Sequence, residues 1–174
     1  QLTIQLSFIA LLLASLYPFT KRWTNFPQLV LGAAFGMSVP MAFSAQTGSL
    51  PLTSGIVFLA TLVWTLIYDT LYAMADRDED IKIGVKSTAI VFQKYDQIII
   101  TLLQILLISI FIVMGNIFKL DQIYYFSLII IVIFMIYHQF LMRKRQNEQY
   151  FKAFLSNNYI GMTAFAGIFF SVAF

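Results

Sequence analysis

The sequence has no cysteine and a single histidine, His138. These absences exclude a disulfide framework, a thiolate metal site, a cysteine nucleophile and a multi-histidine zinc site, so any metal would need oxygen ligands. Charge is scarce as well, because 11% of the 174 residues are charged, against about 25% in soluble domains. Hydrophobic residues make up 60% of the chain, and the mean hydropathy is +0.81. This composition indicates a protein embedded in the lipid bilayer.

Five stretches contain no Asp, Glu, Lys or Arg, and a bilayer span needs about 20 such residues. They are residues 1–20, 23–68, 97–118, 122–142 and 153–174. The second is long enough for two spans and has a turn signal at 46–51. We therefore predict one all-α transmembrane domain over 1–174, with six helices near 2–18, 28–45, 52–75, 96–117, 122–142 and 154–173. A β-barrel is excluded because runs such as 98–103 and 129–134 do not alternate polar and apolar residues.

Six helices with short turns place alternate loops on one side of the membrane, and basic residues mark its cytoplasmic side. The loops after the first, third and fifth helices contain ten of the eleven Lys and Arg: Lys21, Arg22, Arg77, Lys82, Lys86, Lys94, Arg143, Lys144, Arg145 and Lys152. Their scatter between apolar runs argues against a nucleic-acid partner. Gln1 is then expected outside, directly within a span and without a signal-peptide pattern. We therefore expect an odd number of further N-terminal helices in the same protein.

The acidic residues are clustered, and five of the eight fall in twelve positions: Asp69, Asp76, Asp78, Glu79 and Asp80. At about 100° per residue, Asp76 and Asp80 lie about 340° and 20° from Asp69, so the three share a face, beside Tyr72, if the helix persists. Like charges there are unfavourable without a cation, and a carboxylate within a span is costly. Oxygen-only ligands favour Mg²⁺, which takes one or two carboxylates plus water and substrate phosphate. For the other charges of this segment, a solvated loop is the alternative.

Basic residues on the same side would balance an anionic substrate. Lys21 and Arg22 end the first helix, and Lys82 and Lys86 follow the acidic residues. Arginine suits bidentate capture of phosphate or carboxylate, whereas lysine acts as a point charge. A purely topological role is an equal alternative for Lys21 and Arg22, and it is the better explanation for residues 143–145.

Residues 68–90 resemble the second aspartate-rich motif of the UbiA superfamily of intramembrane prenyltransferases. Stretches 17–22, 27–36, 38–43 and 157–161 resemble its 4-hydroxybenzoate polyprenyltransferase branch. The resemblance implies nine helices, of which the six here would be the last six, in a bacterial or mitochondrial inner membrane with the active site on the cytoplasmic or matrix side. The family's first aspartate-rich motif is absent from the sequence. We therefore expect an N-terminally truncated chain with half of the metal site, inactive alone.

The resemblance also implies a reaction. A polyprenyl group would pass from polyprenyl diphosphate to the ring of 4-hydroxybenzoate in ubiquinone biosynthesis, with Mg²⁺ assisting ionisation of the diphosphate. Asp76 and Asp80 match the family's metal-binding pair. Asp69 and Tyr72 match flanking positions, where a carboxylate would order a metal-bound water or accept the phenol proton. These four residues are the catalytic candidates.

Substrate-binding candidates follow from the same resemblance. Lys21 matches a lysine that contacts the diphosphate, and Arg22 matches a position that takes the carboxylate of the acceptor. Lys82 and Lys86 are further candidates for the diphosphate. A carbocation needs apolar and aromatic walls that exclude water, for which Tyr72, Trp64 and Phe35 are candidates, although ordinary packing is the simpler explanation for each.

Three alternatives remain open. Another member of the superfamily, acting on dihydroxynaphthoate, homogentisate or haem, would differ around Arg22 and 38–43. A cation transporter would need ionisable residues along a path across the membrane, and here they cluster on one side. A soluble isoprenyl diphosphate synthase would not have this membrane-spanning composition. His138 is expected to form an interhelical hydrogen bond rather than to act in catalysis.

Overall fold

Residues 1–173 are described by a computed structural model, and over this range the chain forms helices and no β-strand. This confirms the all-α prediction. The α-helices are α1 Leu2–Trp23, α2 Pro27–Gly36, α3 Ser38–Thr47, α4 Leu52–Ala75, α5 Arg77–Ile83, α6 Thr88–Phe92, α7 Asp96–Ile117, α8 Gln122–Arg143 and α9 Asn147–Ala173. A short 3₁₀ turn, Gln93–Tyr95, joins α6 to α7.

Five segments of the described chain are long and apolar enough to cross a membrane: Leu2–Trp23, Pro27–Thr47, Leu52–Ala75, Thr88–Ile117 and Gln122–Arg143. The sixth long helix, α9, has 27 residues but is more polar. It begins at Asn147 rather than near 154, because its first turns, which include Glu148, extend the helix beyond the apolar run. The chain is an integral multi-pass membrane protein, and residues 1–173 form six long helical segments.

The predicted second helix is divided at Met37 into α2 and α3. Pro40 lies in the first turn of α3. In one continuous helix it would lack an N–H donor, and its ring would clash with the carbonyl of Gly36, four residues earlier. The Met37 N–H still donates to the Ala33 carbonyl at 3.1 Å, so the two pieces stay connected as one span.

The first helix does not end at its proline residue. α1 continues beyond Pro18 to Trp23, although we predicted its end near 18. Lys21 and Arg22 lie in the last turn of α1, where cations interact favourably with the negative end of the helix dipole. This places the two basic side chains on a helix rather than in a loop.

Helix α4 lies at the centre of the described bundle and packs against α2, α7 and α9, while α8 packs against α7 and α9. Buried apolar residues of five helices, α4 and α6 to α9, form the core, including Leu71, Ile100, Leu107, Ile131 and Ile160. A Cβ at Gly161 would lie 2.5 Å from the Trp64 ring. The glycine therefore allows α9 to approach α4 closely.

Polar side chains also join helices within the core. His138 is fully buried, with Nε2 2.7 Å from the Ser156 hydroxyl and Nδ1 3.4 Å from the Gln104 amide nitrogen. Gln139 donates to the Gln104 side-chain oxygen at 2.7 Å. The predicted interhelical hydrogen bond of His138 is confirmed, and it links α7, α8 and α9.

The connections after α1, α4 and α8 meet at one end of the bundle. The Lys86 N–H donates to the Lys21 carbonyl at 3.0 Å, and an Arg145 guanidinium nitrogen lies 3.7 Å from an Asp96 carboxylate oxygen. We call this the basic end, after the residues that mark it: Lys21, Arg22, Lys82, Lys86, Arg143, Lys144 and Arg145. At the opposite end, the Asp121 N–H donates to the Ser171 hydroxyl at 2.7 Å.

Candidate functional site

The acidic segment, residues 76–80, follows α4 at the basic end. The helix that we assumed to persist through it ends at Ala75, and Asp76 is the junction with α5. Repulsion between neighbouring carboxylates does not favour one continuous helix here. Two backbone hydrogen bonds of helical spacing cross the junction. The Asp76 N–H donates to the Tyr72 carbonyl at 3.2 Å, and the Asp80 N–H donates to the Asp76 carbonyl at 2.9 Å.

The carboxylates differ in their surroundings. Asp76 and Asp80 are partly buried, whereas Asp78 and Glu79 are exposed. Removal from solvent raises the pKa of Asp80. The negative charges of Asp76 and Glu79 also raise this pKa, whereas the positive charge of Lys21 lowers it. The Asp80 carboxylate thus lies in a site where negative charge is only partly compensated.

Asp69 and Tyr72 lie on the last turns of α4. Asp69 is partly buried and close enough to Lys21 and Asp80 for their charges to interact. Tyr72 is close enough to Asp76, Asp69 and Asp80 for their charges to act on it. The four catalytic candidates therefore belong to one group around the α4–α5 junction, together with Lys21.

The remaining basic candidates are placed differently. Lys86 is exposed, and its Nζ donates to the Trp23 carbonyl at 3.4 Å, which ties it to the end of α1. Arg22 and Lys82 are also exposed, and neither forms an ion pair within residues 1–173. The structure therefore brings Lys21 to the carboxylates, whereas Arg22 and Lys82 face solvent at the same end.

A residue missed in the sequence analysis, Gln28, holds the loop after α5 in place. Gln28 is 1% exposed, and its Oε1 accepts a hydrogen bond of 3.1 Å from the Thr88 N–H. The Thr88 hydroxyl lies 2.7 Å from that of Thr70, the residue after Asp69. A glutamine beside Pro27 in an otherwise apolar stretch was the available signal. Through these contacts α2 fixes the loop that carries Lys86.

A cavity of about 1020 Å³ lies between α2, α3, α4 and α9. Its walls are largely apolar and aromatic, and its lining residues are Phe35, Ser38, Thr61, Trp64, Thr65, Tyr68, Phe154, Leu155, Asn157, Asn158, Gly161 and Met162. Trp64 Nε1 donates to Asn157 Oδ1 at 3.3 Å. Tyr68 directly precedes Asp69, so the cavity approaches the carboxylate group from within the bundle.

Two of the three aromatic candidates line this cavity, and Tyr72 does not. Phe35 and Trp64 line it. Tyr72 lies beside it, with its ring centroid 5.1 Å from that of the lining residue Phe154. The carboxylates themselves do not line the cavity, and its lining comes nearest to them along the chain at Tyr68, the residue before Asp69.

The carboxylates suit Mg²⁺ as a partial site. Within residues 1–173, no three His, Cys, Asp or Glu side chains are close enough together to hold a metal ion. Asp76 and Asp80 are partly buried and form no salt bridge within residues 1–173, and Mg²⁺ is commonly held by one or two carboxylates plus substrate phosphates. A diphosphate would supply the remaining oxygens.

Comparison with known proteins identifies the family. The profile of the UbiA prenyltransferase family matches residues 1–170. The chain is 57% identical over 171 residues to the 4-hydroxybenzoate octaprenyltransferase of Vesicomyosocius okutanii, covering 98% of this chain and 63% of that protein. It is 51% identical to the 4-hydroxybenzoate octaprenyltransferase of Photobacterium profundum, covering 98% of this chain and 60% of the relative. The chain therefore spans about 60% of the length of these curated relatives.

A solved structure supports the fold. The apo structure of a UbiA homolog from Aeropyrum pernix K1 aligns with a TM-score of 0.77 at 23% identity, covering 97% of this chain and 63% of the other. A likeness at this identity concerns the arrangement of helices and not the substrate. With the profile match over nearly the whole sequence, the family is established: the chain belongs to the UbiA prenyltransferase family.

Proposed function

We propose that this chain forms part of a 4-hydroxybenzoate polyprenyltransferase, which transfers a polyprenyl group from polyprenyl diphosphate to the aromatic ring. The observation that carries this proposal is the meeting of Lys21 with Asp69 and Asp80 beside a large apolar cavity. The names of the relatives support the choice of acceptor.

The proposed reaction breaks the allylic carbon–oxygen bond, and the electron pair leaves with the diphosphate. The ring carbon ortho to the phenol then forms the new carbon–carbon bond, and the proton of that carbon passes to the released diphosphate, which restores aromaticity. Bound Mg²⁺ would neutralise the charge that develops on the leaving group. Asp76 and Asp80 would hold the ion, and Lys21 would add positive charge toward the diphosphate. Asp69 would accept the phenol proton on a carboxylate oxygen.

The cavity has the properties that the prenyl group requires. Its aromatic walls would help to keep water from the allylic cation, which water would quench. The faces of Trp64 and Phe35 would stabilise that cation by cation–π contact. The prenyl chain would lie along α4 and α9, with its diphosphate at the basic end and the acceptor carboxylate near Arg22.

The excess of basic residues supports a cytoplasmic location of this end, as expected for a bacterial inner-membrane protein. A matrix location in mitochondria would follow the same charge rule. The polyprenyl diphosphate would then reach the site from the lipid, and the aromatic acceptor would reach it from the basic end.

The test is prenyl transfer in isolated membranes with radiolabelled polyprenyl diphosphate and Mg²⁺. We would compare the chain alone with an extended chain, preceded by the N-terminal region of the Photobacterium profundum relative. Acceptors would be 4-hydroxybenzoate, dihydroxynaphthoate, homogentisate and haem. We expect labelled product from the extended chain with 4-hydroxybenzoate. Product with a different acceptor would correct the substrate, and no product with any acceptor would contradict prenyl transfer.

A further inference from the structure

Arg77 stands in the middle of the acidic segment, between Asp76 and Asp78. It is the first residue of α5, so Asp80 lies three positions later on the same helix. Arginine and aspartate at this spacing are neighbours on a helix surface and form ion pairs readily. On local grounds, the guanidinium would therefore neutralise Asp80, one of the two carboxylates proposed to hold the cation.

The structure shows a different partner for Arg77. Its Nη2 lies 2.6 Å from Oδ2 of Asp96, which is 1% exposed at the start of α7. Within residues 1–173, the acidic segment forms no salt bridge through Asp76, Asp78, Glu79 or Asp80. The arginine is thus paired 19 positions away, and the carboxylates next to it stay unpaired.

Asp96 is itself fixed in place. Its Oδ1 accepts a 2.6 Å hydrogen bond from the Gln97 N–H and lies 3.7 Å from an Arg145 nitrogen in the turn between α8 and α9. Arg77 Nε is buried and has no hydrogen-bond partner in the described part of the chain. The position of the guanidinium therefore depends chiefly on Asp96.

We propose that Asp96 is a positioning residue that withdraws the Arg77 guanidinium from the acidic segment and so keeps Asp76 and Asp80 free to bind a divalent cation. This inference rests on the proposed function, because it concerns the same cation site. Asp96 would not touch the cation or the substrate. It would act through Arg77, by removing a positive charge that competes with the cation for Asp80.

The test measures Mn²⁺ binding by electron paramagnetic resonance, with the chain in lipid nanodiscs and inorganic diphosphate present. The variants are D96N, R77Q and the double variant D96N/R77Q. D121N is the matched control, since Asp121 also lies at the N-terminus of a long helix but at the opposite end of the bundle. Thermal melts followed by circular dichroism would establish that each variant is folded.

We expect D96N to weaken Mn²⁺ binding about fivefold, which corresponds to one nearby charge at moderate screening. R77Q alone should bind Mn²⁺ at least as tightly as the wild type. In the double variant the affinity should return to within about twofold of R77Q, because the competing charge is gone. D121N should bind like the wild type.

Two results would overturn the inference alone: wild-type affinity in D96N, or a double variant as weak as D96N. The second result would mean that Asp96 acts by supporting the fold rather than through Arg77. Absence of Mn²⁺ binding in the wild type would instead contradict the cation site of the proposed function, and this inference with it.

Discussion

Neighbouring residues of the acidic segment lie in different environments, and this separates their proposed roles. Asp76 and Asp80 are partly buried near Lys21 and Tyr72, whereas Asp78 is exposed. Exposed charges are ordinarily solvated and contribute little. Partial burial near Lys21 and Tyr72 thus favours the first pair as cation ligands.

We therefore predict that Asp76→Ala or Asp80→Ala in the extended chain lowers prenyl transfer by about a hundredfold or more, because a metal ligand is lost. Asp78→Ala should change the rate by no more than about twofold. Transfer of radiolabel in membranes at saturating Mg²⁺ measures the contrast. Equal losses in all three variants would contradict the assignment.

Lys21 and Arg22 are adjacent, yet only Lys21 lies near the carboxylates. We expect Arg22→Ala to raise the apparent KM for 4-hydroxybenzoate about tenfold, because a guanidinium–carboxylate pair is lost. Lys21→Ala should mainly raise the KM for the polyprenyl diphosphate. Each substrate is titrated separately at fixed Mg²⁺. If Arg22→Ala changes only the diphosphate dependence, Arg22 belongs with the diphosphate-binding residues.

Contacts between α2 and the loop before α6 depend on one buried side chain, Gln28. Gln28→Leu removes the acceptor of the buried Thr88 N–H, so we expect a loss of about 1–3 kcal/mol in the free energy of unfolding. Gln46→Leu, an exposed position on α3, is the matched control. Thermal unfolding in detergent would compare the two. Equal stability of both variants would show that the hydrogen bond is dispensable.

Close packing of α9 on α4 depends on Gly161. A Cβ there would meet the Trp64 ring at 2.5 Å, so Gly161→Ala should displace the indole and cost about 1–3 kcal/mol. Gly55→Ala is the control, because a Cβ at Gly55 has no contact within 4 Å in the described structure. Trp64 fluorescence in a Trp23→Phe background and thermal melting report both effects. An unchanged emission spectrum in Gly161→Ala would contradict the predicted displacement.

Across the bundle, the charge distribution predicts which end faces the cytoplasm. Because the natural sequence has no cysteine, a single introduced thiol can be labelled without background. We expect Lys144→Cys to react with a membrane-impermeant maleimide only in inside-out vesicles, and Lys119→Cys only in right-side-out vesicles. The opposite pattern would reverse the orientation. Labelling of both thiols from one side would contradict the helix count between them.

Local composition was sufficient to predict the membrane class and most helix positions. Charge-free runs predicted the six long segments, because an uncompensated charge is costly in lipid. The boundaries of α4, α7 and α8 agree with the prediction to within a residue. The boundary errors lie at the end of α1, which continues past Pro18, and at the start of α9, which begins at Asn147. The effect of a proline depends on whether neighbouring groups compensate for the lost hydrogen bond. Spacing alone also made Asp69, Asp76 and Asp80 candidates.

Side-chain contacts between residues that are distant in the chain could not be predicted from sequence spacing. Asp96 pairs with Arg77 across 19 positions, and Gln28 bonds Thr88 across 60. Such contacts require α2, α4 and α7 to pack side by side, and that packing depends on the shapes of many side chains together. A local pattern pairs Arg77 with Asp80 on one helix. In the packed bundle Arg77 instead pairs with the buried carboxylate of Asp96, because a buried charge without a partner would be costly. Tertiary contacts, rather than the local sequence, therefore determine whether Asp76 and Asp80 have a neighbouring positive charge.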